Sequence, residues 1–155
     1  MRPDAPVALD ISILDLHIGR VTNVPGSRGL FEPQWSPDGR YITAISADHD
    51  RLMLFDFQTQ QWEPLGVEDA HFPHWSGQGD YIYYFEMPDN FSQEKEWNAD
   101  RLRLADHKPE KLCSFHGLNL TGSYGWWSGP APDGSPLTLS DTSRRDIYAI
   151  DVELP

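Results

Sequence analysis

Glu32-Pro33-Gln34-Trp35-Ser36-Pro37-Asp38-Gly39-Arg40-Tyr41-Ile42 is the stretch whose reading decides the fold. A short run ends in an aromatic residue, a turn follows, and an aromatic and a β-branched residue resume. Pro37 presets φ, Asp38 can take a nearby backbone N–H, and Gly39 permits a positive φ. Strand, tight turn, strand is the expectation. Forty residues on, Pro73, Trp75, Ser76, Gly79, Tyr81 and Ile82 repeat Pro33, Trp35, Ser36, Gly39, Tyr41 and Ile42. A weaker third copy sets Pro132-Asp133-Gly134 against Pro37-Asp38-Gly39. A fixed period of this length is the mark of a repeat architecture.

A second element follows each turn. Leu52-Met53-Leu54-Phe55-Asp56 aligns with Leu102-Arg103-Leu104-Ala105-Asp106 and with Ile147-Tyr148-Ala149-Ile150-Asp151. Gly39 to Asp56 and Gly134 to Asp151 are both 17 residues apart, whereas Gly79 to Asp106 is 27. The middle copy therefore carries an insertion, placed at 87–100. Upstream, Ile11-Ser12-Ile13-Leu14-Asp15 is the second element without its first half. Each full unit reads as four short strands, at 32–35, 41–46, 52–56 and 61–65 in the first copy. The whole chain reads as a tail at 1–9, a half unit at 10–25, units at 29–65 and 70–115, and an incomplete unit at 123–152. Thirteen strands result, and no segment shows a sustained helical period with caps.

The composition agrees. The 155 residues include 12 Gly and 13 Pro, which suits many strands joined by turns. Aromatic residues are 12% of the chain, enough for a packed core. A net charge of −12 repels phosphate and argues against nucleic acid or an anionic membrane as the main partner. Cys113 is the single cysteine, so neither an internal disulfide nor a cysteine-based zinc site can form. No run of apolar residues approaches a membrane span, and the first ten residues lack the pattern of a secretion signal. A cytoplasmic location is the corresponding expectation.

The W-S-P-D-G turn within a 40-residue, four-stranded unit resembles the TolB-type, WD-repeat-like (PD-repeat) β-propeller family of bacteria. The likeness covers about residues 10–151. Trp35 to Gly39 fit the family pattern. The second copy departs from it at Gly77 and Gln78, and the third lacks Trp-Ser directly before Pro132. The resemblance implies an all-β partial propeller, with about three four-stranded antiparallel blades in an open arc. It also sorts the residues by face. The W-S-P-D-G turns lie on one face, and Asp38, Gly39, Gly79, Asp133 and Gly134 are read there as structural turn residues. Asp15, Asp56, Asp106 and Asp151 start turns as well. The opposite face gathers the inter-blade connections, the loops between second and third strands, and the insertion. Arg28, His49, His71, Phe91, Trp97, Arg144 and Arg145 are the candidate partner contacts on that face. A loop lengthened in one copy alone is not needed to build a blade, and a Trp on it can anchor a partner.

Signatures of catalysis do not occur. The sequence has no G-x-S-x-G, no H-E-x-x-H and no phosphate-binding G-x-x-x-x-G-K-[ST]. His71 and His74 lie at i, i+3 in a strand, which sets them on opposite faces and disfavours a shared metal ion. No cofactor is expected. The resulting expectation is a non-catalytic interaction or sensory module that binds a protein or peptide, as the C-terminal part of a larger bacterial regulator or scaffold. The competing reading is the propeller of a prolyl-oligopeptidase-like serine hydrolase that lacks its catalytic domain.

Known propellers close with about four to eight blades. Thirteen strands fall short of that, so the end blades should expose apolar faces and unpaired edges that favour association. Self-association or additional propeller blades are expected, and size exclusion with light scattering should show a dimer, an aggregate or a partly unfolded chain. A sharp monomer near 17.7 kDa with a cooperative melt would overturn this expectation.

Overall fold

The computed structural model describes residues 9–48, 50–86, 97–118, 129–140 and 142. Strands are its regular elements, with no helix among the described residues. A first antiparallel pair joins β1 (Ser12–Leu14) to β2 (Val21–Asn23). The first full blade is β3 (Leu30–Trp35), β4 (Tyr41–Ser46), β5 (Leu52–Asp56) and β6 (Gln61–Pro64), hydrogen-bonded in that order. The second is β7 (Ala70–Trp75), β8 (Tyr81–Glu86), β9 (Asn98–Arg103) and β10 (Lys108–Ser114), again in sequence order. A short hairpin, β11 (Gly129–Pro130) with β12 (Pro136–Leu137), opens the third unit. This is the all-β arrangement of antiparallel blades that the repeat predicts. The third-strand assignment at 147–151 lies outside the described residues.

The turns have the chemistry read from the sequence. The Gly39 N–H donates to the Ser36 carbonyl at 2.9 Å, and Gly39 sits at φ +72°. Asp38 accepts from the Ser36 hydroxyl at 2.6 Å and from the Arg40 N–H at 3.0 Å. These bonds, the Ser36 one foremost, hold its carboxyl below its ordinary pKa. In the second blade Gln78 stands in place of that aspartate, and Asp80 takes over, accepting from the Ser76 hydroxyl at 2.6 Å. Gly79 and Gly134 repeat the positive φ. Asp133 accepts from the Ser135 N–H at 2.9 Å.

The register corrects one alignment. Tyr41 pairs with Asp56, and its counterpart Tyr81 pairs with Arg103, not Asp106. Asp106 lies in the following turn, where it accepts from the Lys108 N–H. The strand after the insertion begins at Asn98, so 98–100, counted with the insertion by sequence, belong to β9. The Leu-x-Leu-x-Asp likeness misled because Arg40 pairs with Asp56 in one blade, whereas the equivalent positions, Asp80 and Arg103, carry the opposite signs in the other.

Each sheet covers its neighbour. Ile45, Leu52 and Leu54 of the first blade, Leu65 and Val67 of the connection, and Ala70, Ile82, Tyr84 and Leu102 of the second form the central cluster. Ile11 and Val24 close the other side of the first blade on Leu30, Ile42, Ala44 and Phe55. Phe85, Ala99 and Phe115 form a smaller cluster on the second blade, with Phe72, Trp97 and Cys113 packed against it. Hydrogen bonds also cross the seam. A bulge in β7 frees the Phe72 N–H, which donates to the Glu32 carboxylate at 2.8 Å. The Trp75 indole donates to the Gln34 carbonyl at 3.2 Å and stacks on Tyr41. Trp35, its counterpart, is 50% exposed and stacks on Phe57 of its own blade. The neighbouring pair β1–β2 supplies no strand among the described residues to cover Trp35.

Two turn glycines separate backbone strain from crowding. A Cβ at Gly39 meets open space, whereas one at Gly134 would sit 2.7 Å from the Tyr83 hydroxyl. Gly39→Ala should cost about 1 kcal/mol, from the positive φ alone, and Gly39→Val about 1–3 kcal/mol. Gly134→Ala should cost more than Gly39→Ala. Denaturant melts of the three variants check the order, and equal costs for the two alanine variants would contradict the Gly134–Tyr83 approach.

Candidate functional site

The two faces of the blades separate as the propeller likeness implies. On one side the β3–β4 turn meets the β5–β6 turn, joined by the Phe57 N–H to the Arg40 carbonyl and by the Arg40–Asp56 pair at 2.9 Å. On the other side the β4–β5 loop meets the connection from β6 to β7. The Leu52 N–H donates to the Val67 carbonyl and the Ala70 N–H to the Asp50 carbonyl. Asp50 and Asp69 hold φ of 46° and 55° there, in the left-handed region that ordinary residues rarely adopt.

On this loop face a cleft of about 770 Å³ opens along the outer part of the seam between the two blades. Arg51 of the first blade, Glu68 and Asp69 of the connection, and Tyr84, Glu86, Asp100 and Lys111 of the second blade edge it. The strand period places them together. Tyr84, Asp100 and Lys111 are aligned across β8, β9 and β10, and Glu86 lies one pleat further along the same face. Four carboxylates against two cations give the cleft a negative balance. Arg51 already pairs with Asp48 at 2.7 Å, and its Nε is buried with no partner among the described residues.

Asp100 is the unusual member. It is 6% exposed, and no group among the described residues hydrogen-bonds its carboxylate. Burial first, then the charge of Glu86, pushes its pKa up to about 6, against a smaller opposing pull from Lys111. Burial likewise raises the pKa of the Tyr84 hydroxyl beside it. Glu86 is itself held by the Asn98 side-chain amide at 2.9 Å.

The sequence-derived contacts distribute as follows. His71 has its Nε2 3.6 Å from Asp50 Oδ2, and neither residue lines the cleft. His74, on the other side of the β7 bulge, lies against Gly129 of the third unit. Arg28 is exposed on the β2–β3 connection, the equivalent edge of the preceding seam. Trp97 immediately precedes β9 and packs, half-buried, against the Phe85–Ala99–Phe115 cluster, its carbonyl accepting from the Phe115 N–H at 2.8 Å. It serves the blade that carries it. His49, Phe91, Arg144 and Arg145 lie outside the described residues. Among the described residues no group of three or more His, Cys, Asp or Glu is arranged to hold a metal ion. Sequence reading missed Asp100, Tyr84, Glu86 and Lys111. The available signal was a charged residue at the parity of buried Leu102, but it required knowing where β9 begins.

No family model matches the chain, and no curated protein matches it. Solved structures do. TolB of Acinetobacter baumannii is 18% identical, with a TM-score of 0.61, over 81% of this chain. A TolB-type protein of Agrobacterium tumefaciens is 22% identical, with a TM-score of 0.58, over 68%. An acylaminoacyl peptidase of Pyrococcus horikoshii is 11% identical, with a TM-score of 0.56, over 84%. The chain has a TolB-like β-propeller fold. It spans 30%, 41% and 27% of those three proteins respectively.

An acid whose folded pKa lies above its ordinary 3.8 binds its proton more tightly folded than unfolded. The cost of Asp100 is therefore fully present above about pH 6 and relieved as the pH falls toward 4. Asp100→Asn should raise the melting temperature by roughly 3–5 °C at pH 7.5. The gap should close near pH 4. Calorimetry at both pH values tests this, and a variant less stable than the parent at pH 7.5 would mean that the carboxylate is satisfied.

Proposed function

We propose that this chain is part of a propeller that binds a protein or peptide through its loop face, as the interaction or sensory part of a larger bacterial regulator or scaffold, and that it is not itself catalytic. The observation that carries the reading is the cleft between the blades. It is concave, bordered by irregular connections on a rigid sheet frame, and charged at its rim. Such frames hold loops in fixed positions, which limits the ordering cost of binding. The TolB-like fold is compatible with this role without specifying it.

A second reading has one observation in its favour. The likeness to the acylaminoacyl peptidase covers 84% of this chain, so the blades also fit a propeller attached to a serine hydrolase. A G-x-S-x-G domain encoded in frame with this segment would decide for that reading.

The interaction role is tested by cross-linking the chain to its partner in cells and measuring the affinity of the purified pair. Glu68→Lys with Asp69→Lys should weaken binding by about tenfold or more, because reversed rim charges act against a complementary partner. Deleting residues 91–96, which spares Trp97, should also weaken it while leaving the fold nearly intact, since loop length contributes little to stability. Glu63→Lys, on the exposed outer strand, should bind as the parent does. Equal affinity in all four proteins would remove the loop face from the interaction.

A further inference from the structure

Among the described charged groups that line the cleft, Asp100 is the most deeply buried carboxylate. It is nine-tenths buried, lines the cleft, and has no hydrogen-bond donor directed at it among the described residues. A polar group in that state normally has a partner, and each exception calls for a reason. The groups facing it are Tyr84 and Glu86 from β8, Lys111 from β10, Glu68 and Asp69 from the β6–β7 connection, and Arg51 from the start of β5. Lys111 offsets the charge only in part, since burial and Glu86 outweigh it. A further negative charge in this cleft would be repelled, whereas a cation would be drawn in. The walls suit an alkyl chain that ends in a charge. Val67, Pro64 and Pro109 are apolar lining, and the Tyr84 ring lies beside the carboxylate.

We propose that the seam between the two blades is a specificity pocket for an arginine or lysine side chain of a peptide partner, with Asp100 as the counter-charge at its base. This rests on the protein-binding reading of the loop face and names the chemistry of its ligand. The stem of the side chain lies along the apolar wall while its cationic head reaches Asp100. Guanidinium and ammonium heads share the needed charge. The planar guanidinium can bond both carboxylate oxygens at once, so arginine should bind more tightly than lysine.

The test uses the full chain and a small probe, acetyl-arginine amide, with acetyl-citrulline amide as its uncharged match. Saturation-transfer NMR reads weak binding and works equally well on oligomers. At pH 7.5 the arginine probe should bind saturably and roughly tenfold more tightly than the citrulline probe. Asp100→Asn should abolish that preference, and Glu63→Gln should leave it intact. Lowering the pH to 5 should shrink the preference in the parent, because Asp100 takes up its proton near pH 6. Equal binding of the two probes, or an arginine preference that survives Asp100→Asn, would overturn the pocket. The probe needs no partner protein. The pocket can therefore fail while the loop-face variants still lose their partner, or stand while they do not.

Discussion

Everything in this structure depends on a blade having two apolar faces and therefore needing two neighbours. A four-stranded sheet with side chains alternating to both sides cannot leave either face in water without losing its core. Here the first blade is covered by β1–β2 on one side and by the second blade on the other. The central cluster, from Ile45 to Leu102, draws on two sheets and the connection between them, with most members wholly buried. At about 1.5–3 kcal/mol for each large side chain removed from water, that seam outweighs any hydrogen bond crossing it. The crossing bonds, Phe72 to Glu32 and Trp75 to Gln34, set the angle and register of the seam; the apolar cluster holds it.

The same constraint explains which parts of the fold could be read from the sequence. Turn chemistry is local, so Ser36-Pro37-Asp38-Gly39 and its period were visible without knowledge of any distant contact. The loss of Asp38's counterpart in the second blade broke the pattern but not the turn, because Asp80, two positions on, accepts from the equivalent serine hydroxyl, that of Ser76. The register of β9 was not visible. Its start follows an insertion, and the leucines that suggested an alignment occur at the wrong parity. What fixes β9 is the pairing of Tyr81 with Arg103 and Ile82 with Leu102, a long-range fact.

The candidate site was legible only by region. The sequence directed attention to loops, since irregular and lengthened segments stand out against a repeat. The loop face is where the cleft opens. Yet the side chain with the most unusual environment, Asp100, belongs to a strand. Its neighbours come from residues 51 to 111, assembled where two sheets pack face to face. No spacing rule joins Arg51 to Lys111. Trp97 shows the converse. Its position before β9 marked it as a loop anchor, but the Phe85–Phe115 cluster offered it a nearer apolar surface.

Along the face that the second blade turns to the first, polarity rises toward the loops. Ile82 and Leu102 are fully buried, Tyr84 and Asp100 follow, and Glu86 lies beyond them. This gradient lets one seam do two jobs. The inner part is apolar and holds the blades at a fixed separation, which the outer part alone could not do against four carboxylates. The outer part then tolerates a buried acid because the inner part already secures the interface. A cation entering at Asp100 would neutralise that acid and touch both blades at once, so binding there would tighten the seam on which the fold depends.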